Sequence, residues 1–61
     1  MYNIFHTERN SFTQKTESRA EGPAAGFDSR DEAARYLVEM KRQARRDGAS
    51  EYADALHVDR A

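Results

Sequence analysis

Lys41, Arg42, Arg45 and Arg46 put four positive charges into six residues, the densest run of reactive side chains in the chain. On a helix, positions 42, 45 and 46 share one face. Such a cluster can bind an anion, either a phosphate backbone or an acidic protein surface. It can equally complement the negative end of a helix dipole, with Glu39 pairing to Arg42. The flanks are acidic: residues 28–39 sum to −2 and residues 47–59 to −4. That pattern can steer docking on a charged partner, or the acidic C-terminal segment can fold back on the arginines and neutralise them.

The remaining reactive types are sparse. His6 and His57 are the only histidines, and His57 lies near Asp54 and Asp59 in the sequence. A catalytic zinc centre needs three protein ligands with outer support, so both histidines are read as surface or hydrogen-bonded residues. There is no cysteine, which excludes a disulfide framework and any thiolate zinc site. Ser11, Ser18, Ser29 and Ser50 fall at expected turns and caps, where their hydroxyls are already employed. The segment Gly22-Pro23-Ala24-Ala25-Gly26 lacks the Gly-Lys-Ser/Thr ending of a phosphate-binding loop. We expect no enzymatic activity, no cofactor and no metal. Phe5, Tyr36 and Tyr52 are instead expected as interface anchors beside Lys41, Arg42, Arg45 and Arg46. Phe12 and Phe27 are assigned to the core.

The elements that must position these residues can be read from local pattern. Tyr2 to Thr7 is rich in strand-favouring types, with Tyr2 and Ile4 on one face and Phe5 and Thr7 on the other. Phe12 to Glu17 makes a second strand, and Glu8-Arg9-Asn10-Ser11 the turn between them. The hairpin thus covers residues 1–17. Residues 18–28 form a connector broken by Gly22-Pro23, within which Ala25–Phe27 can add a short third strand.

Ser29-Arg30-Asp31-Glu32 fits a capping box and opens a helix over 29–47 that contains no Gly or Pro and stops before Gly48. Its apolar stripe is Ala33, Leu37, Met40 and Ala44, flanked by Ala34 and Val38. Tyr2, Ile4, Phe12 and Phe27 are expected to pack on it. Residues 49–58 make a short helix capped by Ser50, or a closing strand over Asp54–Val58. The fold class expected is α+β: an N-terminal hairpin on one long amphipathic helix, with a short C-terminal element.

Only eight of the 61 residues are Leu, Ile, Val or Phe, so the core must be small. Ten Lys and Arg oppose eleven Asp and Glu, a balance without the basic excess usual in nucleic-acid binders. Met1–Phe5 lacks the regions of a signal peptide, and no apolar run approaches the ~20 residues of a membrane span. A cytoplasmic protein with no membrane contact is expected.

From about residue 11 to residue 40, the two strands, the connector, Phe27 and the capped Ser29-Arg30-Asp31-Glu32-Ala33 helix resemble the arm-type DNA-binding domain of phage integrases. That resemblance implies nucleic-acid binding. The chain departs from it in having no tryptophan and only Lys15 and Arg19 as basic residues over the expected second strand and the start of the connector. In size and organisation alone, the chain is similar to small stand-alone phage proteins that inhibit host defence machinery, including anti-CRISPR proteins. This second resemblance implies a non-catalytic inhibitor that occludes a surface of a large host nucleoprotein complex in the bacterial cytoplasm. The alternatives are a small nucleic-acid-binding domain using the basic helix end and an adaptor that forms homo-oligomers, such as a homodimer, through its alanine-rich stripe.

Overall fold

Strand-favouring side chains start the chain, and Tyr2–Arg9 forms the first strand, β1, in a computed structural model that describes all 61 residues. Thr16–Ala20 forms β2 and Leu56–Arg60 forms β3. They make one antiparallel sheet in the order β2-β1-β3, so the first strand is the central one. Its hairpin register pairs Phe5 with Ala20 and Arg9 with Thr16, while its other side pairs Phe5 with His57 and Tyr2 with Arg60.

The second strand is displaced from the expected Phe12–Glu17. Asn10 is the cause. Its side-chain oxygen accepts from the backbone N–H groups of Phe12 (2.9 Å) and Thr13 (3.3 Å). The Gln14 N–H donates to the Asn10 carbonyl at 2.8 Å, and Gln14 itself has a left-handed φ of 62°. These local bonds occupy groups that a strand would need. Residues 10–15 therefore form the loop, the turn lies later than Glu8–Ser11, and β2 extends to Ala20. Phe12 is 96% exposed and takes no part in the core.

Arg30–Arg46 forms the long helix, α1. The Ser29 hydroxyl caps it by accepting from the Glu32 N–H at 3.2 Å. The reciprocal bond from Ser29 N–H to the Glu32 carboxylate is not formed, so half of the capping box is realised. The C-terminus closes with Gly48 at φ 81°. Gly48 N–H donates to the Arg45 carbonyl at 3.1 Å and Ala49 N–H to the Ala44 carbonyl at 2.8 Å. These two bonds make a Schellman motif.

The chain then enters a second helix, α2, over Ser50–Ala55. Its cap position is Ala49, without a side-chain bond, so Ser50 does not cap it. Both readings of residues 49–58 hold in part, because this helix runs directly into β3.

The helices pack on β1 and β3 and leave β2 uncovered. The core between the layers is Ile4, Ala33, Ala53 and Leu56, with Ala44 at its edge. The alanines let the helix backbones come close to each other and to the sheet. Leu37 and Met40 of the expected stripe are half-buried. Tyr2 and Phe27 are also half-buried. Phe27 forms an isolated bridge to Tyr2 rather than a third hairpin strand, through Tyr2 N–H to Phe27 C=O (2.9 Å) and the return bond (2.8 Å).

The connector, now residues 21–29, covers the buried Asn3. Asn3 Nδ2 donates to the Pro23 carbonyl at 3.1 Å, and its Oδ1 accepts from the Ile4 N–H at 2.8 Å. No helix is long and apolar enough to cross a membrane.

Candidate functional site

Strand alternation decides where Phe5 points. Ile4 and His6 face the helices, so Phe5 faces the opposite side of the sheet. There its half-buried ring lies 6.2 Å from that of His57, its register partner on β3. Thr7 and Ser18 share a hydroxyl hydrogen bond of 2.9 Å on the same side.

Tyr36 lies on α1, 44% exposed, with its ring 5.3 Å from Phe27. Tyr52 lies on α2 and stacks on the buried His6, at 4.6 Å between ring centroids and 20° between planes. Burial pushes the Tyr52 phenol above its ordinary pKa, and the Glu21 carboxylate adds to the shift while Arg19 opposes it. No group of three His, Cys, Asp or Glu residues is placed to hold a metal ion.

The basic cluster is partly matched by its neighbours. Arg42 pairs with Glu39 at 3.1 Å, one turn back on the same helix. Arg45 reaches Asp54 on α2 at 3.0 Å, so the acidic C-terminal segment folds back on one of the arginines. Both pairs are well exposed, and pairs of that kind contribute about 0–1 kcal/mol. Lys41 is half-buried along α1, and Arg46 is exposed. Neither has a carboxylate partner within ion-pair distance.

The seven residues singled out from the sequence therefore do not form one site. Phe5 stands on one face of the sheet, and Tyr52 and the basic cluster lie in the helix layer across it. Tyr36 sits apart with Phe27. Two features escaped the sequence reading. One is Phe12, displayed at the hairpin tip; Asn10, two residues earlier, was the available signal, since Asn commonly bonds the backbone two positions on. The other is the burial of His6 and Asn3: alternation from Ile4 was the signal for His6, whereas Asn3, on the opposite face under the connector, had none. The groove along β2 is polar, about 590 Å³, and lined by His6, Glu8, Glu17, Ser18 and Arg19.

Compared with protein-family models, with curated proteins and with solved structures, the chain matches none.

Proposed function

We propose that this protein is a non-catalytic binding protein that acts by occupying the surface of a protein partner in a stoichiometric complex. The observation that carries this reading is Phe12. A phenylalanine 96% exposed gains nothing for the fold, yet the loop that displays it is ordered by the Asn10 bonds. Burying such a ring in a partner's pocket is worth about 1.5–3 kcal/mol, and little conformational entropy is lost when the loop is already set. Aromatic anchors of this kind dominate many interfaces.

Val38 on α1 and Arg46, which has no carboxylate partner, are exposed as well. The partner class rests on the likeness in size and organisation to small phage inhibitor proteins: a large host nucleoprotein complex, with this chain as a phage-encoded inhibitor in the bacterial cytoplasm. For nucleic-acid binding, the cluster at 41–46 retains only Lys41 and Arg46 without carboxylate partners.

The test is affinity capture from a lysate of the cells in which the chain acts, followed by titration of the captured partner. Phe12→Ala should leave the thermal midpoint nearly unchanged, since its side chain touches little. It should weaken the complex at least about tenfold, as loss of an interface anchor does. Unchanged affinity of Phe12→Ala for the same partner would remove the basis of the reading.

A further inference from the structure

We propose that β2 is a docking edge for a second copy of this chain, which joins it antiparallel about a two-fold axis at Ser18 and extends the sheet to six strands. This inference stands apart from the Phe12 reading and rests on β2 alone.

Every residue of β2 is exposed, and both helices pack on the other two strands. The direction of its backbone groups follows from its ladder with β1. Asn10 N–H donates to the Lys15 carbonyl, and Glu21 N–H donates to the Ile4 carbonyl, each at 2.8 Å. In an antiparallel ladder such pairs alternate, so Lys15, Glu17, Arg19 and Glu21 turn their N–H and C=O groups towards β1. Thr16, Ser18 and Ala20 therefore turn theirs outward, to an edge with no partner. An open edge of this kind is a template for another strand.

The side chains specify which strand. Lys15, Glu17, Arg19 and Glu21 all project from the helix-side face, in the order plus, minus, plus, minus. This series is antisymmetric about Ser18. Rotating a second copy about that residue sets Glu17 opposite Arg19 and Lys15 opposite Glu21, twice each. In the same register Ser18 pairs with its own copy and Thr16 with Ala20, which satisfies the outward backbone groups of all three. The charged pairs then fall at the non-hydrogen-bonded positions, where side chains lie closest.

Other arrangements are penalised. Sliding the copies by two residues sets Glu17 opposite Glu17 in one direction and Arg19 opposite Arg19 in the other. A parallel two-fold pairing opposes each charge with itself. Charges on an edge commonly guard it against pairing; here their order admits one register and rejects its neighbours. The opposite edge, β3, has no such series: turned about Val58, it would set Leu56 opposite Arg60.

The experiment compares the full chain, Glu17→Arg, Arg19→Glu and an equimolar mixture of the two variants by sedimentation equilibrium, with circular dichroism to confirm that each is folded. The wild type should be a dimer at high micromolar concentration. Each variant alone sets like charges opposite each other and should weaken the dimer at least about tenfold. The mixture restores opposite charges at both positions and should dimerise as the wild type does. Amide exchange gives a second readout that needs no variant: Thr16, Ser18 and Ala20 N–H groups should become protected as concentration rises. A wild type that stays monomeric at millimolar concentration, variants that still dimerise alone, or a mixture that does not recover would each overturn the proposal.

Discussion

At Tyr52 one side chain serves two elements. Its ring covers His6 of β1 from α2, and its hydroxyl lies within the field of Glu21 beyond β2. Burial and the Glu21 carboxylate both favour the neutral phenol, so its pKa lies above the ordinary 10.0. The folded state therefore holds this proton more tightly than the unfolded state. Its contribution to stability is fully present below pH 10 and is lost as pH rises through the folded value. Tyr52→Phe keeps the ring and removes the titration. Urea midpoints measured at about pH 8 and about pH 11 should show a larger alkaline loss for the wild type than for Tyr52→Phe. Equal losses would mean that the phenol ionises as freely in the fold as in the unfolded chain. Gly22 shows a different residue-scale constraint: a Cβ there would run into the Asn3 side chain, which is buried and held by two hydrogen bonds. Neither relation could be read from spacing, because His6 and Tyr52 are 46 positions apart and Asn3 and Gly22 are 19 apart.

Elements were legible where their punctuation is local. Ser29 and Gly48 bound α1 within one residue of the boundaries expected, because a cap is decided by the few backbone groups it satisfies. The hairpin was legible in kind but not in register. Phe12 and Thr13 carry strand propensity, yet Asn10 offers their N–H groups an immediate partner, and the local bond prevails over pairing. At the C-terminus the pattern suits helix and strand alike, and both form, because six residues suffice for α2 once α1 packs against it. The joint between the helices is the Schellman turn. Nothing lies within 4 Å of a Cβ built on Gly48, so its requirement is purely conformational. Gly48→Ala should cost about 1–2 kcal/mol through the left-handed φ alone. That corresponds to a thermal midpoint lower by roughly 4–16 °C, read by differential scanning calorimetry. A midpoint unchanged by the substitution would show that the turn is not held in that conformation.

For the molecule as a whole, scarcity of bulky aliphatics governs both fold and surface. Two helices can cover two strands of the sheet, so β2 and the hairpin tip are left to solvent and the other sheet face is covered only in part, by the connector over Asn3. That coverage sets Phe5 and Tyr52 on opposite sides of the sheet, while Phe12 is exposed because the Asn10 bonds turn its segment into the loop. The core itself is lined mainly by alanine, and Ile4 is its only large side chain with no exposure at all. Truncating a buried isoleucine to alanine costs about 2–5 kcal/mol. A chain of this length has a total stability of about 3–9 kcal/mol, from ~0.05–0.15 kcal/mol per residue. Ile4→Ala should therefore remove a large share of it, leaving a chain that loses its far-ultraviolet dichroism at lower urea than the wild type. Phe12→Ala deletes a larger apolar group and should shift the same curve by no more than about 0.5 kcal/mol. A comparable loss for the two variants would mean that the hairpin tip packs against the body of the protein, and that the division between a minimal core and a displayed aromatic does not hold.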